Sequence, residues 1–141
     1  MAKNKENNIQ TEEPQDLRER AVVVAVIRDG QPIEQAEEFL GELEFLAETA
    51  DIVTVRRFTQ RLPQPLSKIY VGPGKLEEIA EWCKEEEIDV AIFDDELSPR
   101  QLRNIEKALN AHNQNDITNN HKQPVRVIDR TILILEIFLN R

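Results

Sequence analysis

A long apolar run, a second cysteine and an excess of positive charge are all missing from this 141-residue chain. No apolar stretch approaches the ~20 residues that cross a bilayer, and the polar N-terminal residues lack the apolar segment of a secretion signal. The single cysteine, Cys83, excludes an internal disulfide and suits a reducing compartment, so we expect a cytoplasmic protein. The net charge of −9 argues against a surface that binds nucleic acid everywhere, but it leaves room for a local basic patch.

Two polar segments without periodicity divide the chain. Residues 1–19 are rich in Lys, Asn, Glu and Gln, which predicts a disordered tail. Residues 110–123 are rich in Asn, which predicts a flexible surface insert whose two histidines lack a metal-binding pattern. The remaining length suffices for one domain with a real core, which we place at residues 20–130. Residues 131–141 begin a further helix.

Runs of β-branched residues alternate with stretches of helical periodicity, which is typical of an α/β protein. We predict a small, mostly parallel sheet of four to five strands with helices on both faces, in the order β-α-β-β-α-β-α-β-α. The run at 21–27 is the most apolar and belongs in the sheet interior. Arg56 and Arg57 interrupt the run at 52–59, place one cation on each face and favour an edge position. The other predicted strands are residues 69–71, 88–93 and 125–128.

The motif Gly72-Pro73-Gly74-Lys75 follows a predicted strand and precedes a predicted helix. The N-terminus of a helix presents free N–H groups to anions, and Lys75 would add a full charge. The motif is not a P-loop, which requires G-x-x-x-x-G-K followed by Ser or Thr. Two interpretations remain open: nucleotide or anion binding by Gly72, Gly74 and Lys75, and a plain strand-to-helix turn capped by Gly74.

Three acidic residues, Asp94-Asp95-Glu96, end the predicted strand at 88–93. Carboxylates at this position could hold magnesium or accept a phosphoryl group, as in receiver domains. The acidic residues and the lysine that a receiver needs at its first and last strands are missing, so Asp94 and Asp95 are only weak metal candidates. The simpler interpretation is that they stabilise the N-terminus of the next helix, which Ser98-Pro99 and Gln101 start with a capping box.

The positive charge of this acidic chain concentrates on the second predicted strand, the proline-rich loop after it and the glycine turn. The cations are Arg56, Arg57, Arg61, Lys68 and Lys75. Such a cluster would bind phosphate through one edge of the protein, so we take Arg56, Arg57, Arg61 and Lys68 as candidates for RNA contact. The alternative is a set of solvated arginines paired with nearby glutamates.

Several motifs, in this order, resemble the N-terminal domain of the HflX family of ribosome-associated GTPases. They are RAVVVAV from Arg20, LAETAD, RRFTQR, YVGPGKLEEI, DVAIFDDELSPRQLRNIEKAL and VIDRTILILEIF. The resemblance covers about residues 20–141. The Asn-rich insert, Ile132 and Glu136 depart from the family pattern.

The resemblance implies a non-catalytic fragment of a longer protein. In the family, this domain is followed by a helical hairpin and a GTPase domain that binds GTP and Mg²⁺, and no GTPase motif is found in this sequence. The family acts on the large ribosomal subunit, where it splits or rescues stalled ribosomes. The expected partners are therefore ribosomal RNA and the protein's own GTPase domain, and the resemblance adds ATP as a further candidate ligand.

Two other functions remain open. One is an independent nucleotide-binding or hydrolysing domain that uses the turn at residues 72–75. The other is an interaction scaffold, because the residues between Ile132 and Leu139 are apolar around nearly the whole circumference of a helix. Since one face of that helix has no obvious partner in this chain, the sequence predicts that the isolated fragment either forms a homodimer through the helix or leaves the helix frayed.

Overall fold

Eight alternating strands and helices make up the part of the chain that the computed structural model describes, residues 16–111 and 123–139. They are β1 (Glu19–Ile27), α1 (Ile33–Thr49), β2 (Ile52–Arg61), α2 (Pro73–Glu85), β3 (Val90–Phe93), α3 (Pro99–Leu109), β4 (Arg126–Asp129) and α4 (Arg130–Leu139). Most of the predicted tail and most of the predicted Asn-rich insert lie outside these ranges. Within them, no helix is long and apolar enough to cross a membrane.

The four strands pair in parallel, in the order β2-β1-β3-β4. This arrangement confirms the predicted α/β class and the predicted parallel sheet. Residues 21–27 of β1 lie in the sheet interior, as their unbroken apolar run predicted, and none is more than 4% exposed. β2 is an edge strand, as its two neighbouring arginines predicted.

Side chains that alternate along the strands divide the core into two layers. α2 and α3 cover the face that carries Val22 and Val24, and α1 and α4 cover the face that carries Val23. Helices therefore lie on both faces, as predicted. Cys83 of α2 is buried in the first layer, where burial raises the pKa of its thiol to about 12. This is the environment expected of a reduced core cysteine.

The predicted strand at residues 69–71 is wrong. Tyr70 has a φ of 71°, in the left-handed region, and it forms an isolated antiparallel bridge with Leu66. The segment is a tight loop in which Tyr70 N donates to Leu66 O at 2.9 Å and Leu66 N donates to Tyr70 O at 3.0 Å. It is apolar because the loop is buried, with Tyr70 only 1% exposed, and not because it belongs to the sheet. The observed order is therefore β-α-β-α-β-α-β-α.

The helix α3 begins as the sequence predicted, α4 begins at a side-chain cap, and α2 begins earlier than a cap at Gly74 would place it. Ser98 Oγ accepts from Gln101 N and Gln101 Oε1 accepts from Ser98 N, which completes the predicted capping box of α3. Asp129 caps the last helix, since its Oδ1 accepts from Ile132 N at 2.9 Å. At α2 the N-cap is Gly72 with Pro73 as the first helical residue, so the interpretation of Gly74 as the cap is wrong.

Candidate functional site

The carboxyl ends of the parallel strands lie at one edge of the sheet, and the chain reverses its strand order between β1 and β3. Open α/β sheets bind ligands at such a point. Asp94 and Asp95 follow β3 here. Asp94 Oδ1 lies 2.6 Å from Arg130 Nη2, and Asp95 Oδ2 lies 3.2 Å from Arg28 Nη2. Each of these weak metal candidates is therefore paired with a guanidinium, and the described residues contain no group of three or more His, Cys, Asp or Glu arranged to hold a metal.

Tyr70 joins this edge from the buried loop before α2. Its hydroxyl donates to Asp95 Oδ2 at 2.6 Å and accepts from Val26 N at 3.3 Å. Burial, and then the hydrogen bond to Asp95, raise the pKa of the phenol well above its usual value, so it stays protonated. The ring packs edge-on against Phe93, with ring centroids 5.4 Å apart. Sequence reasoning missed this residue, because the pattern around it indicated only a short strand.

Asp129 connects two chain segments at the end of β4. Its Oδ2 accepts from Leu97 N at 2.8 Å, in addition to the capping bond from Oδ1 to Ile132 N. The side chain is 2% exposed, and in the described residues both of its oxygens accept a backbone hydrogen bond. One buried carboxylate therefore ties the turn before α3 to the start of α4.

The glycine turn is held in place by the neighbouring edge strand. Gly72 N donates to Gln60 Oε1 at 2.8 Å, and a Cβ at Gly72 would lie only 3.1 Å from Gln60 Nε2. Pro73 has no N–H, and Lys75 Nζ lies 3.2 Å from Glu78 Oε1. Gly72, Gly74 and Lys75 are thus together at the N-terminus of α2, with one backbone donor and the ammonium already engaged. Nucleotide binding at this turn stays a prediction.

The predicted basic cluster is divided between the two faces of the sheet. Arg56 lies on the α2 side, with its guanidinium carbon 4.2 Å from the ring centre of Phe58 and 5.1 Å from that of Trp82. Its Nη2 is 3.8 Å from Glu78 Oε2, so Arg56 and Lys75 share one carboxylate. Arg56 is therefore a stacked and paired cation.

Arg57 lies on the opposite face, against α1. Its Nε is 2.7 Å from Glu44 Oε2, and hydrogen bonding to that carboxylate raises the pKa of Arg57. Arg61 donates to the backbone carbonyls of Arg28 and Gln31 at 3.0 and 3.3 Å. Lys68 lies beside α3, where its carbonyl accepts from Asn104 Nδ2 at 3.1 Å. The alternative interpretation, arginines paired with nearby glutamates, therefore describes Arg56 and Arg57.

The curated proteins that are similar to this chain include GTPases named HflX. The chain is 37% identical over 123 residues to GTPase HflX of Flavobacterium psychrophilum, covering 87% of this chain and 26% of the relative. It is 35% identical over 127 residues to GTPase HflX of Escherichia coli K12, covering 89% of this chain and 26% of the relative. The chain thus spans about a quarter of the length of the curated relatives it matches.

Two solved structures and a family model also match this chain. Crystal structures of two mutation variants of SsGBP are each 25% identical to this chain. The match to the first has a TM-score of 0.60 and covers 85% of this chain and 32% of the SsGBP chain. The match to the second has a TM-score of 0.55 and covers 84% of this chain and 31% of the SsGBP chain. The model of the family described as GTP-binding GTPase N-terminal matches residues 37–139, from α1 to the end of α4. The chain belongs to this family, the N-terminal domain family of the HflX GTPases.

Proposed function

We propose that this chain is the N-terminal ribosome-binding and regulatory domain of an HflX-type GTP-binding protein that acts on the large ribosomal subunit in the splitting or rescue of stalled ribosomes. The assignment to an HflX-type protein is supported by the family to which the chain belongs. We assign GTP hydrolysis and the Mg²⁺ that it requires to a separate GTPase domain, because the P-loop signature is missing from this sequence. The domain itself binds and regulates.

One side of α4 is apolar and exposed, and this observation carries the regulatory half of the proposal. Leu135 is 53% exposed and Leu139 80%, with Ile134 beside them at 36%. We call these three residues the α4 apolar face. The opposite side of the helix, at Leu133, is fully buried against the sheet. Because burying one Leu side chain gains about 1.5–3 kcal/mol, covering the α4 apolar face would gain several kcal/mol in total.

The GTPase domain of the same protein is the partner that we propose for the α4 apolar face. Relatives of this chain are about four times as long, since the match covers 26% of their length. Docking of a second domain onto α4 would connect ribosome contact by this domain to GTP turnover in the other. Arg56 and Arg57, two of the four cations predicted to contact RNA, are paired with carboxylates, and Arg61 donates to two backbone carbonyls, so the proposal does not depend on these three arginines. Lys68 remains a candidate for RNA contact.

The test is the double substitution Leu135→Glu with Leu139→Glu in the full-length protein. Buried carboxylates without partners oppose docking, so stimulation of GTP hydrolysis by large subunits should fall about tenfold or more, within the usual range of coupling free energies. Binding of the protein to large subunits, measured by co-sedimentation, should persist. Both quantities are measured on the same preparation.

Phe45→Glu provides the matched control. Phe45 is 69% exposed and lines a surface cleft together with Val53 and Thr54 of β2, and no described residue of α4 lines that cleft. This variant should keep the stimulation of the unmodified protein. Stimulation that is equal in all three proteins would show that the α4 apolar face has no regulatory contact, and a failure of the unmodified protein to bind large subunits would refute the ribosomal half of the proposal.

A further inference from the structure

The solvent side of α3 carries three cations. Arg100, Arg103 and Lys107 are spaced three and four residues apart, which places them on one side of a helix. Ile105 and Leu109 on the opposite side are buried in the core. We call Arg100, Arg103 and Lys107 the α3 basic face. Its length along the helix axis is about 10 Å, from the rise of 1.5 Å per residue.

These cations differ from the arginines of β2 in their partners. Arg56 and Arg57 each have a carboxylate within 4 Å, and Arg61 donates to two backbone carbonyls. No side chain of the α3 basic face forms an ion pair with a carboxylate in residues 16–111 or 123–139. In a chain of net charge −9, these three neighbouring exposed cations form a local basic patch, with Glu106 as the acidic residue beside it.

The α3 basic face continues into a cleft at the open edge of the sheet. The cleft has a volume of about 590 Å³, lies between the end of α3 and β4, and is lined by Arg103 and Lys107. Glu106, Asn110 and Arg126 also line it, and β4 is the outermost strand on this side. Arg126 itself is held by Glu19 and Glu136 at 3.0 and 2.7 Å. The positive charge that remains available in the cleft comes from Arg103 and Lys107, and Glu106 offsets part of it.

We infer that the α3 basic face binds the phosphate backbone of RNA. Arg100 and Arg103 can each donate two parallel hydrogen bonds to one phosphate, and Lys107 adds a point charge at the mouth of the cleft. The residues that line the cleft in the described chain include no aromatic ring for stacking on a base, so the contact is to phosphate and independent of sequence. This inference rests on the proposed function, for which it names a ribosomal RNA contact surface.

A membrane surface fits α3 less well than RNA does. A helix that lies on a membrane inserts an apolar face while its cations contact lipid headgroups. The apolar residues of α3, such as Ile105 and Leu109, are 0% and 3% exposed because they form part of the core. Only the charged side of α3 is available for binding.

The experiment compares two triple charge reversals that alter the net charge by the same amount. One is Arg100→Glu, Arg103→Glu and Lys107→Glu on α3, and the other reverses Arg56, Arg57 and Arg61 of β2 in the same way. The 141-residue chain is titrated into a short fluorescein-labelled single-stranded RNA, followed by fluorescence anisotropy, at several salt concentrations between about 50 and 200 mM. Circular dichroism melting verifies that each variant is folded. Anionic vesicles of phosphatidylserine and phosphatidylcholine serve as the membrane probe.

The α3 reversal should weaken RNA binding at least about tenfold and lower the log–log salt slope by about 2, because each phosphate contact to a single strand contributes about 0.7. The β2 reversal should bind within about threefold of the unmodified chain, since these arginines already have partners. Glu106→Lys, which adds a cation beside Lys107, should tighten binding and steepen the slope. Vesicles should not bind.

Three results would overturn the inference. They are RNA binding that the α3 reversal leaves unchanged, an unmodified chain that does not bind RNA, and vesicle binding that the α3 reversal abolishes. A separate result bears on the proposed function alone. RNA binding through α3 in a protein that does not sediment with large ribosomal subunits would refute the proposed function and leave the α3 site standing.

Discussion

Replacement of Asp129 by Ala should destabilise the fold more than removal of an ordinary helix cap. The carboxylate is 2% exposed and accepts two backbone hydrogen bonds, from Leu97 N at 2.8 Å and from Ile132 N at 2.9 Å. Ala would remove both acceptors at once. Leu97 is itself only 5% exposed, so water does not readily replace the lost acceptor at its N–H.

The expected loss follows from these two bonds. Loss of the cap of α4 costs about 1 kcal/mol, and a buried N–H left without an acceptor costs about 1–3 kcal/mol. The free energy of unfolding should therefore fall by about 2–4 kcal/mol. For a chain of this size, each kcal/mol lowers the melting temperature by about 3 °C, so Tm should fall by about 6–12 °C. Asp129→Asn keeps one acceptor oxygen and should lose about half as much.

Urea unfolding of the 141-residue chain measures the loss, followed by far-UV circular dichroism and by the fluorescence of Trp82, the single tryptophan. Ser98→Ala is the matched control, because Ser98 also caps a helix but is exposed and accepts only the bond from Gln101 N there. That variant should lose about 1 kcal/mol. If Asp129→Ala costs no more than Ser98→Ala, the second hydrogen bond and the burial contribute nothing, and the reasoning is wrong.

Two further predictions concern the glycine turn and α4. Gly72→Ala should lower the free energy of unfolding by about 1 kcal/mol, because its Cβ would lie 3.1 Å from Gln60 Nε2 and the shift of that side chain would weaken the hydrogen bond from Gly72 N to Gln60 Oε1. A Cβ at Gly74 meets nothing within 4 Å, so Gly74→Ala should raise the free energy of unfolding by about 0.5 kcal/mol. Urea unfolding of both variants is the measurement, and changes of the same sign would contradict the geometry. The isolated chain should form a homodimer through the α4 apolar face, and Leu135→Glu with Leu139→Glu should convert it to a monomer in sedimentation equilibrium. A chain that is monomeric at every concentration, with α4 protected from hydrogen exchange, would refute the dimer.

Local patterns in the sequence were sufficient for most of the architecture. The apolar residues of β1 alternate between the two faces of the strand, so the run predicted burial of both faces. The capping box at Ser98 and Gln101 specified the start of α3 from four residues. Each of these signals depends on neighbours along the chain. The same reasoning failed at Tyr70, because a buried loop and a short strand have the same apolar composition, and only the tertiary contacts with Val26 and Asp95 distinguish them.

The surroundings of the cations were decided by tertiary structure. The pairing of β2 with β1 shifts by one residue at Val55, so that Arg56 lies on the α2 side and Arg57 on the α1 side. Their partners, Glu78 and Glu44, come from two different helices. The sequence shows that a charge exists and which side of a helix or strand it shares with its neighbours. Whether that charge is neutralised depends on which carboxylate the fold brings within about 4 Å, and residue spacing along the chain contains no such information.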